Sequence, residues 1–85
     1  MLAPQRRSDV IAERIGQETI LRDPIKNLVH VINASAAWIW ERLDGTSSVE
    51  EIASELAGRH GLAAEDARRD VTSVTDAFRE LGLLT

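Results

Sequence analysis

The sequence of 85 residues contains no cysteine and no tyrosine, and its only aromatic side chains besides histidine are two tryptophans and one phenylalanine. Without cysteine the chain has no disulfide, thiolate metal ligand or cysteine nucleophile, which fits a reducing compartment. Long apolar runs are also lacking. None follows the arginines near the N-terminus as in a signal peptide, and none is long enough to span a bilayer. We therefore expect a cytoplasmic protein that does not enter a membrane.

Histidine is scarce, and this limits the chemistry that the chain can perform. His30 and His60 are the only two, and neither stands in a motif that pairs it with a nucleophile or an orienting group. We expect His30 to pack in a strand and His60 to support a helix end. The scattered carboxylates show no spacing typical of zinc or calcium ligands. We predict no catalytic residue, no enzymatic activity, no metal and no cofactor.

The length and the net charge of the chain limit the number of domains and the kinds of partner. A chain of 85 residues has room for one hydrophobic core, so residues 1–85 are expected to form a single domain with an N-terminal arm at 1–9. Ten basic and fourteen acidic residues give a net charge of −4, and the basic residues are dispersed along the chain. A negative net charge repels a phosphate backbone, so nucleic acid is not expected as a partner.

The first third of the sequence predicts strands. Val10–Ile15 and Glu18–Arg22 flank Gly16-Gln17, a two-residue hairpin turn in which glycine can adopt positive φ. Asp23-Pro24 ends the second strand, because proline lacks the backbone donor and restricts the residue before it. Leu28–Ile32 is a third, β-branched run.

The rest of the sequence predicts three helices. Asn33 can cap the first, Ala34–Leu43. Ser48 and Glu51 have the spacing of a capping box for the second. The third has apolar residues four and three apart and ends at a glycine: Ala67, Val71, Val74, Phe78, Leu81 and Gly82. The fold class is therefore α+β and winged-helix-like, a three-stranded antiparallel sheet followed by three helices.

The two tryptophans are expected in different environments. Trp38 and Trp40 lie about 200° apart on the first helix, so that only one can face the core well. Trp40 belongs to the apolar stripe. For Trp38 the sequence leaves two alternatives, packing against the hairpin or contact with a ligand or partner.

The third strand is the feature that composition leaves unexplained. Leu28, Val29, Val31 and Ile32 make it apolar on both faces, although the helices can cover only one face of so small a sheet. A neighbouring loop or a second copy of the chain would cover the rest. Alternatively, the strand has an open edge that receives an extended peptide.

Four segments together resemble a known family pattern. They are Ile32–Trp40 with its Asn-Ala-Ser-Ala helix start, the Leu43–Thr46 turn, the Val49–Ala53 helix start, and the Phe78–Leu84 helix end with Gly-Leu-Leu. Their order and spacing resemble those of the PqqD-like family, from about Arg6 to Leu84. The resemblance implies a recognition element for ribosomally made, modified peptides, which binds the leader segment of a precursor.

The resemblance also implies where the leader binds. In that family the leader adds as a strand to the third strand and lies against the last helix. Here the corresponding residues are Asn27, Leu28, Val29, His30, Val31, Ile32, Ala67, Arg68, Asp70, Val71, Val74, Thr75 and Phe78.

Within this site, an apolar pocket is predicted from Leu28, Val31, Val71 and Val74, and a charge at Val29 or Val31 is expected to weaken binding. Charged helix residues, namely Arg68, Asp70 and Arg79, either read charged leader positions or are solvated.

The partners implied by the resemblance are the leader peptide and the enzyme that receives it. That enzyme is a leader protease of a lasso-peptide pathway or a radical enzyme of PQQ synthesis, and we favour the lasso type. Two functions of other classes stay open. A winged-helix DNA-binding protein would need a positively charged recognition helix, and a structural homodimer would use the open strand edge.

Overall fold

The computed structural model describes residues 3–85, so Met1 and Leu2 of the predicted arm 1–9 lie outside the described residues. The elements are β1 (Ile11–Ile15), β2 (Glu18–Asp23), β3 (Leu28–Ile32), α1 (Ala34–Arg42), α2 (Val49–His60) and α3 (Ala64–Glu80). The α+β order of three strands followed by three helices is confirmed. The largest boundary difference is at α3, which begins three residues before the apolar face that marked it.

The sheet is antiparallel in the order β1-β2-β3, so β1 and β3 are its edges. Ile15 pairs with Glu18 across the Gly16-Gln17 turn, and Gly16 has a φ of 65° that favours glycine at this position. The second connection is longer, because Asp23 pairs with Leu28 across four residues.

The strand register determines which side chains face the helices. Leu21 is fully buried and lies opposite His30, whereas its neighbour Ile20 lies opposite Val31. Since successive side chains alternate between the faces of a sheet, His30 points to the helix-covered face and Val31 to the outer face. The outer face comprises Ile11, Glu13, Ile15, Glu18, Ile20, Arg22, Val29 and Val31.

The predicted caps begin α1 and α2. The Asn33 side chain accepts a hydrogen bond from the backbone N–H of Ala36 at 2.8 Å. Ser48 and Glu51 form a complete capping box. At the other end of the chain, the N–H of Leu83 donates to the Phe78 carbonyl at 3.0 Å, and Gly82 has a φ of 74°. This glycine-dependent helix end turns the C-terminal tail back to the core.

The core lies between the covered face of the sheet and the three helices. Trp40 is 3% exposed, which confirms its predicted burial. Its ring meets that of Phe78 edge to face at a centroid distance of 5.1 Å, a favoured arrangement for two aromatic rings. The other buried apolar residues are Leu21, Ile39, Leu43, Ile52, Ala53, Leu56, Ala67, Val71 and Leu83.

Residues of the N-terminal arm lie between two distant segments of the chain. The backbone N–H of Arg6 donates to the Leu43 carbonyl at 2.7 Å, and that of Arg7 donates to the Leu83 carbonyl at 2.9 Å. Isolated β-bridges extend these contacts to Asp44 and Leu84. The arm thereby connects the α1–α2 turn to the C-terminal tail.

Candidate functional site

The two ends of β3 lie near two points of α3. At one end Lys26, which precedes β3, donates from Nζ to the Leu81 carbonyl at the end of α3, at 3.1 Å. At the other end Asn33, which follows β3, lines a cavity together with Asp70 and Val74 of α3. The strand and the helix are therefore antiparallel. We define the space between them as the β3–α3 groove, bounded by the helix-facing residues of β3, namely Leu28, His30 and Ile32, and by Asp70, Val74 and Leu81 of α3.

Only alternate residues of β3 face this groove. Leu28, His30 and Ile32 share the covered face of the sheet with Leu21, according to the register. Leu28 nevertheless remains 49% exposed, so the helices do not fully cover it. Val29 and Val31 are 53% and 61% exposed on the outer face.

The four residues of the predicted pocket, Leu28, Val31, Val71 and Val74, do not share one surface in the structure. Val31 points to the face of the sheet opposite to Val74, because it lies opposite Ile20 and not opposite Leu21. Val71 is fully buried and cannot line a surface pocket. Of the predicted set, Leu28 and Val74 remain in the groove, whose other apolar members are Ile32 and Leu81.

Four of the implied binding residues on α3 are core residues. Ala67 and Val71 are fully buried, and Thr75 and Phe78 are 1% and 3% exposed. They follow one stripe of the helix that packs mainly on α2. Their side chains can support the groove from below, but in this conformation a peptide cannot reach them. Val74, at the border of the stripe, is half-buried and borders the groove.

The charged residues of α3 lie on different sides of the helix. Asp70 lines the cavity at the end of the groove. Arg68 is about 200° further around the axis, and its Nη2 lies 3.6 Å from Oε1 of Glu50 on α2. Arg79 pairs with Asp76 at 3.0 Å. Asp70 thus shares a cavity with Asn33, the residue that follows β3, whereas Arg68 is directed towards α2.

The turn before β3 is held by a buried carboxylate. Asp23 is 1% exposed, and its Oδ1 accepts hydrogen bonds from the backbone N–H groups of Ile25 at 3.0 Å and Lys26 at 3.2 Å. Hydrogen bonds from the Arg7 guanidinium, aided by these two, lower the pKa of Asp23 to about 2. Asn27 completes the turn with a φ of 55°, a left-handed conformation that asparagine tolerates.

His30 occupies the middle of β3 and is half-buried, which confirms the expectation of a packing residue. Within residues 3–85 its Nε2 is buried and has no hydrogen-bond partner. His60 is the last residue of α2, before Gly61, as expected for a residue at a helix end. Within residues 3–85, no three or more His, Cys, Asp or Glu side chains cluster so that they could hold a metal ion.

Trp38 lies beside two cavities. The larger, of about 570 Å³, is formed by the start of α1, the end of α2 and the middle of α3. The smaller, of about 270 Å³, lies between α1 and the β1–β2 hairpin. The guanidinium of Arg42 stacks on the indole ring at 3.6 Å. Trp38 is thus next to the hairpin, as one of its two predicted environments requires, but it also lines a second space on the helical side.

Sequence reasoning missed the residues that hold the two sides of the groove together. Lys26 and Arg7 belong to segments without a periodic pattern, and their partners Leu81 and Asp23 are distant in sequence. The only local signal was Asp23 before a proline, which indicated a turn but not a buried ion pair.

Comparisons with known proteins identify similar sequences and structures. Residues 18–84 match the profile of a family described as Coenzyme PQQ synthesis protein D (PqqD). No curated protein matches the chain. Within residues 3–85, none of the helices combines the length and apolarity needed to cross a membrane.

Two solved structures have the same fold. One, described as TbiB1 in complex with the TbiA(beta) leader peptide, has a TM-score of 0.82 at 20% identity, covering 94% of this chain and 93% of that chain. The other, described as lasso peptide synthetase B1 complexed with the leader peptide, has a TM-score of 0.85 at 22% identity, covering 98% of each chain. At these identities the likeness establishes the fold.

Proposed function

This chain belongs to the PqqD family, and on that premise we propose that it binds the leader segment of a ribosomally synthesised precursor peptide along β3. The observation that carries the proposal is the edge strand itself. Within residues 3–85, β3 pairs on one side only, with β2, and its helix-facing side chains border the β3–α3 groove. Its free backbone groups are a template for one more strand.

Strand addition explains how affinity and selectivity are divided. Backbone hydrogen bonds to β3 supply affinity for any extended peptide, whereas alternate leader side chains enter the groove and supply selectivity. Leu28 and Val74 offer apolar contacts there, and Asp70 offers a negative charge. The remaining leader side chains lie on the outer face, next to Val29 and Val31. Of the binding residues that the family resemblance implied, between Asn27 and Phe78, this proposal keeps only those that belong to the β3–α3 groove.

The bound leader is then delivered to a separate processing enzyme. The two solved structures named above contain leader peptides, and both have the same fold as this chain. The lasso type named in one of them supports a leader protease as the receiving enzyme. In this proposal the chain performs no chemistry itself, and its location in the cytoplasm stays a prediction.

No observation favours the two rival functions. The arginines of α3 that a DNA-binding helix would use are paired with acids: Arg68 with Glu50, Arg69 with Asp66, and Arg79 with Asp76. A homodimer through the β3 edge would compete with the leader for the same backbone groups. Light scattering with and without peptide distinguishes these two occupants.

The proposal is tested by binding of fluorescein-labelled peptides measured by anisotropy. The probes are the TbiA(beta) leader peptide and peptides of about 20 residues selected from a random display library on the immobilised chain. We expect a Kd of around micromolar, about −8 kcal/mol. Methylating single backbone nitrogens of the best peptide should abolish binding at every second position, because strand pairing uses alternate N–H groups. Failure of every peptide to bind, or loss without this periodicity, would contradict strand addition.

A further inference from the structure

One end of the β3–α3 groove is closed by the side chain of Lys26. This residue lies in the turn that precedes β3, and its Nζ donates to the carbonyl of Leu81, the C-cap residue of α3, at 3.1 Å. The next residue is Gly82, where an added Cβ would lie 2.6 Å from Nζ. Only a residue without a side chain allows so close an approach. The ammonium is thus held against the end of α3, where the helix dipole favours a positive charge.

The ammonium of Lys26 is a positive charge without a carboxylate partner. Within residues 3–85, the ion pairs at this end of the groove are those of Arg7 with Asp9 at 2.7 Å and with Asp23 at 2.9 Å, and neither includes Lys26. A protonated lysine has three N–H donors, and the bond to Leu81 uses one of them. Since Lys26 is exposed, the other two donors are available to a carboxylate of a bound peptide.

The turn fixes the backbone of Lys26 beside the strand that the leader joins. Its N–H donates to the buried carboxylate of Asp23 at 3.2 Å, and Leu28, two residues later, begins β3. Residues that lie opposite each other on paired strands point to the same face of the sheet. The leader residue opposite Leu28 therefore points into the groove, and it is the groove-facing position nearest to Lys26.

Backbone pairing alone does not determine the register of the leader, because the hydrogen-bond pattern of a strand repeats every two residues. A fixed charge at one end of β3 removes this ambiguity. One register brings an acidic leader side chain to the ammonium, and the shifted registers do not. The net charge of −4 makes the rest of the chain unfavourable for a carboxylate, so the contrast between registers increases.

We propose that Lys26 is a specificity-determining residue of the site, which pairs with an aspartate or glutamate of the leader at the position opposite Leu28. This pairing rests on the proposed function, because strand addition to β3 is what brings that position to the ammonium. It gives the site a selective contact for one leader residue and sets the register in which the leader binds.

The first experiment compares peptide selections on the immobilised wild type, Lys26→Glu and Arg14→Glu, from one random display library of peptides of about 20 residues. The wild type should enrich an acidic residue at one position, at an end of the segment that backbone methylation identifies as paired. Lys26→Glu should enrich lysine or arginine there instead, because the charge of its partner is reversed.

Arg14→Glu is the matched control. Arg14 is exposed on β1, the other edge strand of the sheet, and like Lys26 it donates to a backbone carbonyl, that of Gly16 at 3.0 Å. Its substitution changes the net charge of the chain as much as Lys26→Glu does. It should retain the acidic preference of the wild type, since charges on distant exposed sites are screened by salt.

The second experiment measures Kd by fluorescence anisotropy for the best wild-type peptide and for its variant with that acidic residue changed to the corresponding amide. The amide should weaken binding to the wild type about threefold to fivefold. It should leave binding to Lys26→Met unchanged, because methionine lacks the charge. A peptide with lysine at that position should bind Lys26→Glu better than it binds the wild type. This comparison isolates the pair from any effect of losing the bond to Leu81.

The outcomes separate the role of Lys26 from the proposed function. If peptides bind with the expected methylation pattern but without an acidic preference, or if the amide weakens binding to Lys26→Met as much as to the wild type, the role of Lys26 is wrong and strand addition stands. If Arg14→Glu reverses the preference as Lys26→Glu does, long-range charge is the cause and the assignment is again wrong. If no peptide binds the wild type, both proposals are wrong.

Discussion

The guanidinium of Arg7 donates hydrogen bonds to both oxygens of the Asp23 carboxylate, from Nη1 to Oδ2 at 2.9 Å and from Nη2 to Oδ1 at 3.0 Å. The same guanidinium donates to the Gly82 carbonyl at 3.0 Å. One side chain of the N-terminal arm therefore connects the turn before β3 with the end of α3. Because Lys26 joins the same two segments, this end of the β3–α3 groove is fixed by Arg7 and Lys26.

The Arg7–Asp23 pair should make the free energy of unfolding depend on pH in the acidic range. The hydrogen bonds from Arg7 lower the pKa of Asp23 from 3.8 to about 2 in the folded protein. A lowered pKa means that the pair stabilises the fold fully above the unfolded pKa, and that this contribution is lost as pH falls from about 4 through 2. Urea unfolding between about pH 6 and 2 should show the loss, and Asp23→Asn should reduce the slope in this range.

The control for this measurement is Asp76→Asn, which removes an exposed carboxylate of α3. It should retain the acid dependence of the wild type. Arg7→Met should destabilise the fold at neutral pH, since it leaves a buried carboxylate without its partner. An unchanged acid slope in Asp23→Asn would show that other carboxylates cause the dependence.

The two faces of β3 should differ in their importance for leader binding. Leu28→Asp places a charge in the β3–α3 groove, where Leu28 is only half exposed, and desolvating that charge opposes binding. We expect a loss of about tenfold or more in Kd by fluorescence anisotropy, equivalent to about 1.4 kcal/mol or more. The sequence alone had suggested Val29 and Val31 for this role.

Val31→Asp is the matched control, because Val31 is a partly exposed β-branched residue of the same strand that points to the outer face. It should change Kd by less than about threefold, since a surface substitution with solvent access costs little. Circular dichroism should show both variants folded. A greater loss in Val31→Asp than in Leu28→Asp would move the selective contacts to the outer face.

The sequence predicted the elements well but not how their faces are used. Caps and glycine stops are local signals, so Asn33, Ser48 and Gly82 marked helix ends close to where the structure has them. The sequence also indicated that β3 is incompletely covered, since the strand is apolar on both faces. Which of its residues meet the groove depends on the register with β2, and no local pattern encodes that.

The residues of α3 show a second limit of predicting a binding site from the sequence. Ala67, Val71 and Phe78 formed the apolar stripe that identified the helix, and the same stripe is what the core buries. A residue cannot serve the core fully and also face a ligand. The arm was unpredictable for a related reason: Arg6 and Arg7 bond to residues far away in sequence, and such contacts leave no periodic signal.

The cap of α1 should contribute measurably to stability. Asn33 accepts the Ala36 N–H at 2.8 Å, and Asn33→Ala leaves that donor without a side-chain partner. We expect the free energy of unfolding in urea to fall by about 1 kcal/mol. Asn33→Asp keeps an acceptor and adds a charge that favours a helix start, so it should retain stability. Equal losses in both variants would mean that Asn33 acts through packing in the cavity.

Removing the hydroxyl group of Thr75 should stabilise the folded protein. It is 1% exposed, and within residues 3–85 its Oγ1 is buried without a hydrogen-bond partner. Valine has the same shape without the polar group, so Thr75→Val should raise the free energy of unfolding by about 1 kcal/mol, as measured in urea. Thr72→Val, on the exposed side of α3, is the control with a change near zero. Leader affinity should stay constant in Thr75→Val, because the side chain lies beneath the groove. Weaker binding by a more stable Thr75→Val protein would instead return Thr75 to the set of residues that contact the leader.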